Sequence, residues 1–143
     1  MRFWDASAVV PLVVAEEETN HCRKLLAEDA EVVVWFLTPL EVISALARRL
    51  RESTLKLSDF RKAKGQLLLL ERAWFEVTSV ERVRELARRL LESYPLRAAD
   101  ALQLAAAIII SENSPQDTPF VTLDNRLGLA AEREGFTLLG VRE

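Results

Sequence analysis

Two aspartates occupy positions at which carboxylate chemistry could take place. Asp5 ends the first apolar segment of the chain, and Asp124 directly follows the apolar segment of residues 120–123. An open parallel sheet has its binding crevice at the carboxyl ends of its strands, so both carboxylates are expected to face one crevice. Each aspartate also has an ordinary explanation, because both precede helical sequence and Asp is a favoured N-cap. Capping and crevice chemistry therefore stay open as alternatives for both residues.

Two further acids lie within helical sequence. Residues 38–41 read TPLE, which predicts a capping box with threonine at the N-cap, proline at the first helical position and Glu41 at the third. Asp100 lies in the apolar helical segment of residues 97–107, so its carboxylate is expected to be largely buried. A buried charge without a partner is strongly unfavourable. Arg97, three residues earlier, is a possible partner, so Asp100 could be a structural charge or a functional one.

These acids need elements that bring them together, and the chain alternates short apolar runs with longer segments of helical period. This alternation predicts a three-layer α/β/α fold with a mostly parallel central sheet of about five strands. The predicted strands are residues 2–5, 31–37, 74–77, 119–123 and 137–141. The predicted helices lie near residues 19–28, 39–52, 58–73, 79–93, 97–111 and 125–134. At this length, residues 1–143 are expected to form a single domain.

The sequences around the acids carry a family resemblance. They read FWDAS from residue 3, TPLEV from residue 38, LRAADALQLA from residue 96 and FVTLD from residue 120. No fragment is unusual alone, but their order and spacing over nearly the whole chain resemble the PIN-domain ribonucleases. The resemblance is greatest to the VapC-like toxins of bacterial and archaeal toxin-antitoxin pairs. It implies a PIN-like fold and magnesium-dependent endoribonuclease activity on RNA.

The resemblance also implies which residues form the site. The positions that match the family's acidic metal-binding residues are Asp5, Glu41, Asp100 and Asp124, and those that match its supporting polar residues are Ser7 and Thr122. Magnesium prefers oxygen ligands and usually keeps several waters, which suits a ring of carboxylates, and Mn²⁺ would suit the same ligands. The three aspartates are expected to be direct or water-mediated ligands. Glu41 is expected to be a ligand or the residue that orients the attacking water.

A basic segment is the candidate RNA-binding surface, although the net charge of the chain is -3. Residues 48–72 carry eight basic and three acidic side chains, so their local charge is +5. Such a segment is either the solvated outer face of two helices or a surface that follows a phosphate backbone. We select Arg48 and Lys62 as RNA-binding residues. Arg48 is the better placed, because it follows Glu41 by seven positions on the same helix face.

Partners and location follow partly from the resemblance, which implies a homodimer and a cognate antitoxin protein that covers the site. The single cysteine, Cys22, cannot form an internal disulfide framework, and no apolar stretch approaches the roughly 20 residues of a membrane span. We therefore expect a cytoplasmic protein without a membrane segment. Two alternatives remain open: a PIN-like RNA-binding or interaction module that does not cut, and a PIN nuclease of RNA processing outside any toxin pair.

Overall fold

The computed structural model describes residues 1–141, which form a five-stranded parallel sheet with helices on both faces. Its strands are β1 Arg2–Trp4, β2 Val32–Trp35, β3 Phe75–Val77, β4 Phe120–Val121 and β5 Leu138–Leu139. The strand order is β3-β2-β1-β4-β5, and every neighbouring pair is parallel. The first strand therefore lies at the centre, where Phe3 pairs with Val33 on one side and Phe120 on the other. The predicted parallel sheet of about five strands is confirmed.

Two helical layers cover this sheet. The helices among the described residues are α1 Ala6–Val13, α2 Thr19–Glu28, α3 Thr38–Arg51, α4 Leu57–Ala73, α5 Val80–Ser93, α6 Ala98–Ile110 and α7 Asn125–Arg133, with a short 3-10 helix at Pro115–Asp117. Helices α1 to α4 contribute to one core and α5 to α7 to the other. This is the predicted three-layer α/β/α fold. None of the helices within residues 1–141 combines the length and the apolar composition that a membrane span requires.

The central strands are apolar throughout because both of their faces are buried. Successive strand side chains point to opposite faces of a sheet. Phe3 accordingly packs into the core of α5 to α7, and Trp4 packs into the core of α1 to α4. Phe120 and Val121 divide between the two cores in the same way. A parallel sheet covered on both faces produces such continuous apolar runs instead of alternating ones.

The predicted elements differ from the structure in two respects. The six predicted helices begin and end within one residue of the observed bounds. The prediction does not contain α1. Helix α1 is nearly all apolar and contains Pro11, so its sequence shows neither a polar face nor an uninterrupted helical pattern. The observed strands are also shorter than predicted, because the apolar runs continue beyond the paired residues. The single-domain expectation includes residues 142 and 143, which lie outside the described part of the chain.

The chain around Gly140 fixes the segment that follows β4. Gly140 has φ +98°, and a Cβ atom there would lie 2.5 Å from the carbonyl oxygen of Thr122. A side chain at this position would therefore be strained and would also clash with backbone. The Thr122 amide donates to the Leu139 carbonyl at 3.0 Å, and the Gly140 carbonyl lies 3.1 Å from Nε2 of His21. These contacts hold Thr122 in place beside β1.

Candidate active site

The four predicted acids line one cavity at the carboxyl end of the sheet. Asp5 directly follows β1, Asp124 lies three residues after β4, and Glu41 and Asp100 lie in the first turns of α3 and α6. All four line a cavity of about 300 Å³. An adjoining cavity of about 610 Å³ is also lined by Glu41, Asp100 and Asp124. Residues that are far apart in sequence thus meet because parallel strands and their following helices present the same ends to one crevice.

Both strand-end aspartates cap helices and face the cavity at the same time. Asp5 Oδ1 accepts the amide hydrogen of Ser7 at 2.8 Å, which caps α1. Asp124 Oδ1 accepts the amide hydrogens of Arg126 and Leu127 at 2.9 and 3.1 Å, which caps α7. In the described residues, the second oxygen of Asp124 accepts no hydrogen bond. Capping and a position at the crevice, which the sequence presented as alternatives, are therefore compatible, since both residues cap a helix and also line the cavity.

Two hydroxyl groups join Asp5 to the segment after β4. Ser7 Oγ donates to Asp5 Oδ2 at 2.8 Å and accepts the Leu123 amide hydrogen at 2.9 Å. Thr122 Oγ1 donates to the same Asp5 oxygen and accepts the Asp124 amide hydrogen at 3.0 Å. Each hydroxyl thus accepts a hydrogen bond from a backbone amide and donates one to the Asp5 carboxylate. The network places Ser7 and Thr122, the two predicted supporting residues, next to Asp5 and fixes Asp5 relative to Asp124.

The capping box predicted for Glu41 is wrong. Thr38 lies inside α3, the N-cap is Leu37, and no side chain caps this helix. The Thr38 hydroxyl is fully buried and instead accepts a hydrogen bond from Nε2 of Gln103 at 3.0 Å. The reason is that Gln103, on the buried face of α6, needs a polar partner, and the threonine hydroxyl supplies it. Glu41 is therefore free of the reciprocal capping contact, and its carboxylate faces the cavity.

Gln103 is a site residue that the sequence analysis did not identify. Its side chain is 1% exposed, its amide nitrogen donates to the Thr38 hydroxyl at 3.0 Å, and its interaction with the Glu41 carboxylate lowers the pKa of that group. It follows Asp100 by three residues on α6, so it joins the start of α3 to the start of α6. The sequence could have indicated its role, because Gln103 is the single amide side chain in a helix that is apolar apart from Asp100. A buried polar group is nearly always hydrogen-bonded, so a partner was to be expected. We describe Gln103 as a positioning residue for Glu41.

Burial sets the protonation of Asp5. Burial raises the pKa of Asp5 to about 6, although hydrogen bonds from Thr122 and Ser7 oppose the rise, and the charge of Asp124 adds to it. The two hydroxyls donate to Asp5 because their own acceptor positions are occupied by backbone amides. The network therefore fits the ionised form of Asp5, which is the form expected at neutral pH.

Like charges add to burial at the other acids. Burial raises the pKa of Glu41 to about 7; the Gln103 hydrogen bond opposes this, and the charges of Asp5 and Asp100 reinforce it. The pKa of Asp100 is raised by burial and by the charge of Asp124. These repulsions join Asp5 to Asp124, Asp124 to Asp100, Asp100 to Glu41, and Glu41 to Asp5. Each of the four carboxylates is thus repelled by two of the others, and we call the four together the acidic ring.

The structure does not support Asp100 as a paired structural charge. A hydrogen bond from the Arg97 backbone and the positive charges of Arg97 and Arg126 lower its pKa, but burial and the charge of Asp124 outweigh them. No ion pair joins Arg97 to Asp100 within residues 1–141. Asp100 therefore carries an electrostatic cost that a cation at the cavity would offset.

The ring offers only oxygen donors, which suits a hard cation. No three His, Cys, Asp or Glu side chains within residues 1–141 stand close enough together to hold a metal ion as they are. Magnesium often binds proteins through one or two carboxylates and keeps several waters. A ring of repelling carboxylates around a cavity of about 300 Å³ fits such a hydrated ion better than a closed cage.

Arginine side chains line the two acidic cavities. Of the two predicted RNA-binding residues, only Arg48 is among the lining residues. Arg48 lines both cavities together with Glu41, as its helical spacing predicts. Lys62 is exposed on α4 and lines neither of them. Arg97 and Arg126, which line the larger cavity, were not predicted as RNA contacts. The sequence could have indicated them by position, because Arg97 lies three residues before Asp100 and Arg126 lies two residues after Asp124. The basic segment of residues 48–72 thus contributes to the cavity only through its first residues.

Comparisons with known proteins agree with the fold. A family model described as PIN domain matches residues 2–132. Among solved structures, PAE2754 from Pyrobaculum aerophilum is 21% identical, with a TM-score of 0.63 over 96% of this chain and 82% of that one. FitAcB from Neisseria gonorrhoeae is 14% identical, with a TM-score of 0.66 over 98% of this chain and 97% of that one. At these identities the two structures show the fold. No curated protein sequence matches the chain.

The raised pKa values predict that the metal-free protein loses stability as pH rises. The pKa values of Asp5 and Glu41 are about 6 and about 7 in the folded chain, above the roughly 4 of unfolded carboxyls. Protonation therefore stabilises the fold fully below about pH 4, and this contribution is lost as pH rises through about 6 to 7. Glu41→Gln should flatten that decline in the free energy of unfolding, measured by urea denaturation across this range. Glu52→Gln, at the exposed end of α3, should not, and equal slopes for both variants would contradict the prediction.

The position of Gln103 gives a second, spectroscopic prediction. Gln103→Leu removes the hydrogen bond that lowers the pKa of Glu41, so the pKa of that carboxyl should rise further. Carboxyl-carbon NMR titration of the metal-free protein measures this directly. Gln66→Leu, on an exposed position of α4, is the matched control and should leave the Glu41 titration unchanged. An unaltered Glu41 pKa in a folded Gln103→Leu protein would reduce Gln103 to a packing residue.

Proposed function

The chain is a member of the PIN-domain family, and from that premise we propose that it is a magnesium-dependent endoribonuclease that hydrolyses RNA phosphodiester bonds. PIN domains are in general nucleases. The observation that carries the proposal is the convergence of Asp5, Glu41, Asp100 and Asp124 on one cavity. A PIN-like module that binds RNA without cutting would not need this complete ring of mutually repelling carboxylates.

The donor set indicates how the residues would divide the work. Asp5, Asp100 and Asp124 would hold a hydrated Mg²⁺ or Mn²⁺ ion, directly or through its waters. When bound, such an ion neutralises charge on the phosphodiester and lowers the pKa of an attacking water. Glu41 orients that water and accepts its proton, because a carboxyl with a pKa of about 7 can exchange protons near neutral pH. Ser7 and Thr122 support the site by holding Asp5.

Arginine side chains would hold the RNA around these acids. Arg48, Arg97 and Arg126 line the cavity of about 610 Å³ and can each donate to phosphate oxygens. They line the same cavity as Asp100 and would reduce the repulsion between its carboxylate and the RNA phosphates. This arrangement explains how a chain with a net charge of -3 can bind a polyanion.

The biological setting rests on the VapC-like resemblance of the sequence. We propose that the protein acts in the cytoplasm as the toxin of a toxin-antitoxin pair, that it forms a homodimer, and that a small cognate antitoxin covers the acidic cavity. A neighbouring gene for a short protein whose coexpression suppresses RNA cleavage would support the pairing. If no such neighbour exists and the protein still cuts RNA, the alternative of a PIN nuclease in RNA processing replaces the toxin.

The catalytic prediction concerns Asp100. Purified protein should cleave a pool of random-sequence single-stranded RNA in Mg²⁺ or Mn²⁺ and stop when chelator is added. Asp100→Asn should reduce the rate by at least about a hundredfold, more than is typical for a residue that only orients a ligand. Asp117→Asn, an exposed acid in the 3-10 helix, should cut normally. Chelator-resistant cleavage by folded Asp100→Asn would sink the mechanism, and RNA binding without cleavage by the wild type would favour the non-catalytic module.

A matched pair of basic residues tests the RNA path. Arg48→Ala should weaken RNA binding and reduce the slope of log affinity against log salt by about 0.7 for each lost phosphate contact to a single strand. Lys62→Ala should have a smaller effect, because Lys62 lines neither cavity. Filter binding at a series of salt concentrations in Ca²⁺, which should occupy the site without supporting rapid cleavage, measures both. Equal losses would extend the RNA path onto α4.

A further inference from the structure

An ion pair forms part of the wall of the smaller acidic cavity. Nη1 of Arg49 lies 2.7 Å from Oε2 of Glu16, and both residues line the cavity of about 300 Å³ together with the acidic ring. Neither residue lines the larger cavity. Glu16 is therefore a fifth carboxylate at the smaller cavity, and it differs from the four of the acidic ring in having a cation as its direct partner.

Hydrogen bonds fix the backbone on both sides of this ion pair. The Glu16 amide donates to the Thr19 hydroxyl at 2.9 Å, and that hydroxyl donates to the Val14 carbonyl at 2.9 Å. The Thr19 amide donates back to the Glu16 carbonyl at 3.1 Å. On the other side, Arg49 lies in the last turn of α3, and its carbonyl accepts the Thr54 amide hydrogen at 2.9 Å. The loop between α1 and α2 thus holds Glu16 beside the end of α3.

The arginines of the smaller cavity do not pair with the acidic ring, although they line the same space. Within residues 1–141, no ion pair joins Arg48 or Arg49 to any of the four ring acids. In that same range, no arginine charge is among the causes that shift the pKa of Asp5 or Glu41. A guanidinium forms strong charge-assisted hydrogen bonds with a carboxylate, and the ring acids repel one another, so pairing would be favourable. The separation of Arg49 from the ring therefore needs a cause.

Arg49 is placed so that its side chain leans toward the acidic ring. It follows Glu41 by eight residues on α3, which is about 12 Å along the helix axis. Helical side chains tilt toward the amino-terminal end of their helix, which in α3 is the end that carries Glu41. A guanidinium released from Glu16 would therefore be free to move along the shared cavity toward the ring. There it would occupy carboxylate oxygens that a cation needs and would also repel that cation.

We propose that Glu16 is a positioning residue, which holds the Arg49 guanidinium at the cavity wall and so keeps the acidic ring open to a divalent cation. A purely structural tie explains the pair poorly, because its side chains are 34% and 27% exposed and exposed ion pairs contribute little to stability. In this role Glu16 touches neither the cation nor RNA and acts only through Arg49. The inference rests on the cation site of the proposed function, and its test is a binding measurement that needs no RNA.

A double-mutant cycle on Mn²⁺ affinity tests the inference with the full, RNA-free chain after chelator treatment. Glu16→Gln should raise the Mn²⁺ dissociation constant about fivefold or more, because the released Arg49 then competes for the ring. In an Arg49→Met background, the same Glu16→Gln change should raise it less than about twofold, because no guanidinium is left to release. Calorimetric titration of the four proteins measures this coupling. Equal effects of Glu16→Gln in the two backgrounds would show that only net charge matters and would overturn the inference.

Glu17→Gln is the matched control, because it removes the same charge from the same loop at an exposed position that lines neither cavity. It should change the Mn²⁺ dissociation constant less than about twofold, since solvent and salt screen an exposed charge. Urea denaturation identifies a structural role, in which Glu16→Gln and Arg49→Met lose stability alike and Mn²⁺ affinity shows no coupling. A wild type that does not bind Mn²⁺ overturns the cation site and this inference together. The expected coupling in a protein that fails to cleave RNA supports the inference and overturns only the nuclease.

Discussion

The crowding of four carboxylates at one cavity, with Asp5 buried and the other three partly buried, is the constraint around which the other features of the site are arranged. Each of these acids would be better hydrated on the surface, and three of them have a raised pKa because burial and neighbouring charge oppose ionisation. A fold that places them together bears a cost in stability. A bound cation would offset that cost, and this is the physical reason for proposing that the cavity binds a metal ion.

The polar side chains near the acids offset part of this cost and also define the geometry. The hydroxyls of Ser7 and Thr122 turn two backbone amides toward a single oxygen of Asp5, which leaves little freedom in its orientation. Gln103, which lies inside α6, interacts with the Glu41 carboxylate and lowers its pKa. Asp124 uses one oxygen for the helix cap and keeps the other for the cavity. Hydroxyl, side-chain amide and backbone amide groups therefore interact with three of the acids, and each group belongs to a segment that the core holds in place.

The sequence was sufficient to predict the layers, the parallel sheet and the convergence of the acids. Those predictions rest on hydrophobic periodicity, on residues at the ends of predicted strands and on the order of the motifs. Each of these can be read from short segments of sequence taken one at a time. It was insufficient where one local pattern has two tertiary outcomes. The segment TPLE fits a capping box as well as it fits a buried hydroxyl, and only the presence of Gln103 on a helix 65 residues away decides between them. Helix α1 was missed because burial on both sides removes the amphipathic period. Lys62 lines neither acidic cavity, because the net charge of a segment does not say which helix face each residue occupies.

The central position of β1 has a consequence for synthesis of the chain. The first strand pairs with β4, and the hydroxyl network that completes Asp5 spans 115 to 117 residues. Such contacts have a high loop-closure cost and form only when both partners are present. During translation, the amino-terminal part of the chain therefore has no assembled acidic ring until the segment from Phe120 to Asp124 has left the ribosome. A chain with this topology therefore assembles its acidic cavity only after β4 and the residues that follow it have been synthesised.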